Sequence, residues 1–197
     1  MNHYFKSNVD LKHKETEIEY VYKFTKFSFI TDIGVFSKGG VDYATNILLE
    51  NLPALSGKIL DLGCGYGCIG VVLAKIYGEN VEIVMSDVNG RALELAGRNA
   101  KKNGANVKII KSDGFEDIHE NFDYIILNPP IHAGKSIIYK IYGEVYNHLN
   151  PNGKFFMVIQ KKHGALSHRE KLEEIFGKKN FSVLYSKKGF FVFEFKR

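Results

Sequence analysis

The stretch Lys58-Ile59-Leu60-Asp61-Leu62-Gly63-Cys64-Gly65-Tyr66-Gly67 sets one carboxylate and three evenly spaced glycines at the end of an apolar run. Behind it, Ile69, Val72, Leu73 and Ile76 recur at a spacing that shares one helical face. This order predicts a buried parallel strand entering a helix through a turn nearly free of side chains. Glycine tolerates positive φ and lets a ligand lie against the backbone. The start of the helix adds unpaired N–H groups that face whatever sits in the turn. Such a turn suits a nucleotide-like molecule, and its letters carry two readings. Gly65-Tyr66-Gly67-Cys68-Ile69-Gly70 is a literal G-x-G-x-x-G with Asp87 at a distance suited to a ribose, the pattern of an NAD-dependent oxidoreductase. Asp61, two places before Gly63, instead attracts a cation such as the aminoacyl end of S-adenosylmethionine and repels a pyrophosphate. The carboxylate favours the sulfonium donor; its other use is to cap the helix that follows.

The ends of later apolar runs continue the pattern with Asp87, Asp113 and Asn128. Ligands of open parallel sheets bind beyond the carboxyl ends of the strands, near the reversal of strand order. There Asp87 is expected to hold ribose hydroxyls, and Asp113, followed by Gly114, the adenine amine. Val88 and Phe115 are expected as walls for the ring. Asn128-Pro129-Pro130 points to the reaction. An exocyclic amine is a poor nucleophile because its lone pair is delocalised into the ring. The Asn128 side-chain oxygen and the Pro129 carbonyl would accept its hydrogens and turn the lone pair towards a sulfonium methyl. Positioning then replaces a strong base, and two prolines stiffen the loop.

These residues need strands and helices in alternation to hold them. A hairpin is expected from partial alternation over residues 17–31, then a loop over 33–40. Asp42 is expected to cap a helix whose apolar face is Ala44, Ile47, Leu48 and Leu52. Strands are expected at 59–61, 81–86, 107–111, 122–127 and 154–159, the last after a turn at 150–153. Helices are expected at 67–77, 89–103, 134–148 and 167–176. Alternation of this kind gives a parallel sheet covered on both faces. Two closing strands, 182–185 and 190–195, are too close in sequence to pair other than antiparallel.

The 197 residues suffice for one domain with a real core. No apolar run reaches membrane-spanning length and the N-terminus is polar, so a cytoplasmic protein is expected, with no membrane partner. Cys64 and Cys68 are too few for a disulfide framework or a metal site; they read as small residues packed beside the ligand, and no metal is expected. Residues 131–197 carry 13 basic and 5 acidic side chains, and Lys161-Lys162-His163, Lys178-Lys179 and Lys187-Lys188 would suit phosphates.

Asp61-Leu62-Gly63-Cys64-Gly65-Tyr66-Gly67 together with Asn128-Pro129-Pro130 resembles the class I S-adenosylmethionine-dependent methyltransferases that modify exocyclic or amide nitrogens. Gly34-Val35-Phe36-Ser37-Lys38-Gly39-Gly40-Val41-Asp42 and Asn128-Pro129-Pro130-Ile131-His132-Ala133-Gly134 further resemble the small-subunit ribosomal RNA guanine-N2 methyltransferases, the ribosomal small-subunit methyltransferase C type, over residues 33–197. The resemblance implies a Rossmann-like α/β domain over 33–197, with a seven-stranded, mostly parallel sheet whose last strand is antiparallel. Residues 1–32 would be a β-rich extension packed on it. Asn128 and Pro129 would be catalytic. Asp61, Gly63, Gly65, Gly67, Asp87, Val88, Asp113, Gly114 and Asn128 would surround S-adenosylmethionine. Phe36, Pro130, Ile131 and His132 would meet the substrate, ribosomal RNA or the small ribosomal subunit.

Two departures stand out. Bacterial members carry an additional N-terminal, methyltransferase-like half that this chain is too short to hold. They also usually have phenylalanine where this chain has Ile131, a stacking surface worth about 1–3 kcal/mol. Either Phe36, Tyr139 or Tyr142 replaces that ring, or the target differs. Adenine N6 and protein glutamine fit the same Asn-Pro-Pro geometry. A non-catalytic RNA-binding assembly module would keep the fold, but a decayed site need not keep its acidic strand ends.

Overall fold

The computed structural model describes residues 14–33, 35 and 40–197, so Phe36, expected on the substrate side, lies outside the described residues. A hairpin comes first, with β1 (Thr16–Tyr22) antiparallel to β2 (Thr25–Thr31). Alternation drives it, because Ile18, Tyr22, Phe27 and Phe29 turn inward while Glu17, Glu19 and Val21 face solvent. Next come α1 (Tyr43–Asn51), β3 (Gly57–Leu62), α2 (Cys68–Tyr77), β4 (Val81–Asp87), α3 (Gly90–Asn103), β5 (Lys108–Lys111) and β6 (Phe122–Leu127). The chain closes with α4 (Lys135–His148), β7 (Leu149–Gln160), α5 (Ala165–Phe176), β8 (Phe181–Lys187) and β9 (Phe190–Lys196).

Strands β3 to β9 form one sheet in the order β5-β4-β3-β6-β7-β9-β8. Only β9 runs against the others, paired antiparallel with β7 and β8, as the two closing strands require. Alternate strand residues feed two cores. Ile59, Ile83, Met85, Ile126 and Phe156 pack with α1, α2 and α3, whereas Leu60, Val84, Ile125 and Phe155 pack with α4 and α5. From β3 the chain builds outward to β5 and then returns to β6 on the other side, and this reversal opens a crevice at the carboxyl ends of β3, β4 and β6. No helix among the described residues is long and apolar enough to cross a membrane.

Three local expectations change. α1 buries Thr45 and Leu49 beside Ile47 and Leu48, while Ala44 and Leu52 are half-buried. α2 is buried from Cys68 through Ala74 instead of along one stripe, because the hairpin's Phe27 and Phe29 cover the side away from the sheet. β7 begins at Leu149 and absorbs the expected turn as a bulge: Phe122 pairs with Leu149, yet Tyr124 pairs with Lys154. A Cβ on Gly153 would lie 2.8 Å from the Asn150 carbonyl oxygen, so the bulge needs glycine there.

The hairpin is fastened by two asparagines one helical turn apart on α3. Ile30 donates its N–H to Asn99 Oδ1 (2.7 Å) and accepts from Asn99 Nδ2 (2.9 Å). Ser28 does the same with Asn103, at 3.1 and 2.9 Å. Four helical residues rise about 6 Å and two strand residues nearly 7 Å, so side chains at i and i+4 match backbone groups at i and i+2. The free edge of β2 is thereby paired without another strand. Asn99, fully buried, also donates to the Tyr66 carbonyl (2.9 Å) in the glycine turn. We expect Asn99→Ala to strand the buried Tyr66 carbonyl and both part-buried backbone groups of Ile30, at a cost of about 3 kcal/mol. Thermal unfolding should show a midpoint lowered by about 6–12 °C; an unchanged midpoint would contradict this role.

Candidate active site

The polar residues that stop the apolar strands line one cavity of about 920 Å³. Its floor is the glycine turn, where Gly63 and Gly65 take φ of 68° and 57°. A Cβ on either would meet no protein atom nearer than 4.0 Å, so these glycines permit the backbone turn and keep the space above it open. Gly67 differs. It stands behind the wall, and a Cβ there would come within 3.1 Å of Ala96, so its role is to let α2 approach α3.

Two buried carboxylates pin the turn. Asp61, 1% exposed, accepts from the Gly70 N–H (2.8 Å) in the first turn of α2, so the capping use is real. It also lines the cavity. Burial pushes its pKa up to about 7, against the pull of the Gly70 N–H and with a push from the Asp87 charge. Asp87 accepts from the Gly65 N–H on one oxygen and the Asn89 N–H on the other, both at 2.9 Å. Burial raises its pKa too, and those N–H groups oppose the rise. Ser86 Oγ, buried in the same wall, has no hydrogen-bond partner among the described residues. Val88, Gly114 and Phe115 line the next part of the cavity with the exposed Asp113. Phe115 is held by stacking on His148, with ring centres 4.4 Å apart. Cys64 and Cys68 are free thiols in the wall, and burial raises both.

At the end of β6, Asn128 Nδ2 donates to Asp42 Oδ2 (3.2 Å) and Thr45 Oγ1 (3.1 Å). The Asp42 carboxylate decides the amide's orientation, since an oxygen turned towards it would be repelled. The Asn128 Oδ1 is left without a donor among the described residues, on a side chain that lines the cavity. Asp42 also caps α1 at the Thr45 N–H (3.1 Å), so the sequence reading found only half of its role. The Pro129 carbonyl accepts from the Ile131 N–H (2.9 Å) across Pro130, whose φ of −74° and ψ of 78° make an inverse γ-turn. One lone pair of that carbonyl is therefore engaged and the other remains. Pro130, Ile131 and His132 line the cavity as expected.

Tyr139 and Tyr142 do not replace the ring missing at Ile131. Tyr142 is fully buried, its hydroxyl between His168 Nδ1 and Met157 Sδ, and the Tyr139 hydroxyl donates to the Ser167 carbonyl. Neither lines the cavity. Both are consumed by the packing of α4 on α5. Phe190 and Gln160 line it instead and were not singled out in the sequence, and His163, expected only as part of a phosphate-binding basic run, lines it too. No local pattern marks the first two, because only the antiparallel pairing of β9 with β7 brings Phe190 beside Gln160 at this edge.

An open glycine floor, two buried carboxylates and an orphaned hydroxyl fit a molecule with a cationic end, a ribose and a ring. Comparison with known proteins agrees. The profile of the methyltransferase small domain matches residues 26–194. The chain is 40% identical over 200 residues to the uncharacterized protein YbxB of Bacillus subtilis, covering 99% of this chain and 98% of that one. It is 39% identical over 129 residues to the ribosomal RNA small subunit methyltransferase C of Vibrio vulnificus, covering 64% of this chain but 38% of that protein. Among solved structures, the T. thermophilus 16S rRNA N2 G methyltransferase (RsmC), in complex with AdoMet and guanosine, superposes with a TM-score of 0.81 at 26% identity. That match covers 93% of this chain and 50% of the other, so the chain spans half or less of these named methyltransferases. The methyl-donor reading of the glycine turn stands over the dinucleotide one: the chain belongs to the methyltransferase small domain family, whose cofactor is S-adenosylmethionine.

Proposed function

We propose that this chain methylates an exocyclic amine of RNA, and that the amine is N2 of a guanine in small-subunit ribosomal RNA. The observation that carries the reading is the fixed amide of Asn128, whose Nδ2 is spent on Asp42 and Thr45. Its Oδ1 and the second lone pair of the Pro129 carbonyl would accept the two hydrogens of a planar NH₂ group, holding the nitrogen lone pair in line. The γ-turn at Pro130 sets that geometry before substrate arrives. S-adenosylmethionine, when bound, supplies the electrophilic methyl group. Asp61 would hold the donor's ammonium, Asp87 its ribose and Asp113 with Gly114 its adenine, between Val88 and Phe115. The choice of guanine N2 is supported by the likeness to the T. thermophilus 16S rRNA N2 G methyltransferase, and that of small-subunit ribosomal RNA by the likeness to the V. vulnificus protein as well.

The direct test incubates the chain with labelled donor and small ribosomal subunits lacking the modification, then maps the methyl group. Label on protein glutamine or on adenine would overturn the target. Asn128→Ala should lower turnover about 10²-fold and leave S-adenosylhomocysteine affinity nearly unchanged, whereas Asp87→Ala should do the reverse. Calorimetric titration beside single-turnover kinetics separates the two.

Asp42→Asn tests the orientation of the Asn128 amide. Asparagine caps a helix as well as aspartate, so stability should stay within about 0.5 kcal/mol. Without the charge the Asn128 amide can turn over, and turnover should fall at least about tenfold. Equal turnover would show that the carboxylate does not set the amide.

Acid should weaken cofactor binding. The Asp61 carboxyl, pushed up to about 7 by burial, must be ionised to hold an ammonium, and it gains its proton as pH falls. S-adenosylhomocysteine affinity should drop roughly fivefold from pH 7 to 6 and about tenfold more by pH 5. Asp61→Asn should flatten most of that slope; an undiminished slope would place the titration elsewhere.

A further inference from the structure

The start of β9 meets the end of β7: Gln160 pairs with Phe190, and the Lys161 N–H donates to the Gly189 carbonyl (2.7 Å). Lys161 and Lys162 thus stand beside the β8–β9 turn, which carries Lys187 and Lys188. All four lysines are exposed, and none has an ion pair among the described residues. By contrast, Lys58, Lys102, Lys108, Lys154 and Lys171 each face a carboxylate. At the foot of the turn Phe190 lines the cavity that holds Asn128, and its ring meets the half-exposed ring of Tyr43 edge-on at 5.2 Å. The remaining basic pair, Lys178-Lys179, precedes β8, whose first residue pairs with Phe195 at the opposite edge of the sheet. Topology therefore puts two of the three basic pairs at the mouth of the cavity and removes the third.

We propose that this edge is a single-stranded RNA surface, with Phe190 as the stacking platform for the target base and Lys161, Lys162, Lys187 and Lys188 as the grip on its flanking phosphates. The inference rests on the RNA reading above and deepens it. A base inside a duplex cannot bring its exocyclic amine to Asn128, so it must be unstacked, and an unstacked base gains from an aromatic face. Phosphates on either side of an extruded base lie within reach of unpaired lysines on the rim. Phe190 supplies from β9 the ring that Ile131 does not supply from the loop after β6.

The test is fluorescence anisotropy with a labelled, guanine-containing single-stranded RNA oligonucleotide, titrated over a range of salt, with a duplex of the same sequence as competitor. Glutamine at Lys161, Lys162, Lys187 and Lys188 together should weaken binding at least tenfold at low salt and flatten the log–log salt slope by up to about 3. Phe190→Leu, which keeps apolar volume but has no ring, should lose at least about fivefold with the slope unchanged, and Phe190→Tyr should restore it. Glutamine at Lys178 and Lys179 should bind as the parent does, and the duplex should compete poorly. A thermal shift with S-adenosylhomocysteine verifies that each variant is folded. Absence of RNA binding by the parent overturns the surface, as does parental binding by the fourfold and Phe190→Leu variants or an equal loss on changing Lys178 and Lys179. RNA methylation by the parent together with unimpaired binding by the variants overturns the surface alone. Binding lost as expected, in a protein that methylates no RNA, supports the surface and overturns the reaction.

Discussion

Hydrogen bonds from backbone N–H groups to buried carboxylates hold the site together. Asp87 receives the Gly65 N–H from the turn after the neighbouring strand, and Asp61 receives the Gly70 N–H one helical turn further on. With the Asn99 amide on the Tyr66 carbonyl, the glycine turn is fastened to β4, β3 and α3. A turn with so few side chains has little packing of its own to restrain it. Tied this way, it keeps one shape and leaves its open side for a ligand. Burying two carboxylates is costly, and their raised pKa values record that cost. A cationic ligand end would offset it, which links the stability of the site to the charge of what fills it.

The acceptor side follows a different rule. Asn128 has an amide with two chemically opposed ends, and Asp42 tells them apart. Because Asp42 caps α1 with the same oxygen that receives the Asn128 amide, the start of α1 and the end of β6 are set against each other. The γ-turn through Pro130 then fixes the next carbonyl. One part of the cavity lining is thus built from carboxylates that receive hydrogen bonds, and another from amide and carbonyl oxygens still able to receive them.

Reversal of a single strand has wide consequences. Had β9 run parallel to β7, its first residue would lie at the far edge of the sheet with Lys178 and Lys179. Running antiparallel, it returns the turn with Lys187 and Lys188 to the ligand edge and sets Phe190 in the cavity wall. A basic tail that looks diffuse in one dimension becomes local in three.

Much was legible before any coordinates. Long apolar runs stopped by Asp61, Asp87 and Asn128 marked the strands and their carboxyl ends, because a strand buried on both faces needs unbroken apolar sequence and can carry polar residues only where it leaves the sheet. Positive φ at Gly63 and Gly65 and the stiff Asn-Pro-Pro loop were likewise local matters, decided by the residues themselves. What the chain in one dimension did not reveal were relations between distant segments. Asp42 and Thr45 orient an amide more than 80 positions away, Asn99 and Asn103 substitute for a strand, Gly67 serves packing, and Tyr139 and Tyr142 are consumed by the α4–α5 contact. None has a sequence signature, because a side chain's partner across the fold is set by how strands are ordered and which way they run, and that is decided only when the whole core closes.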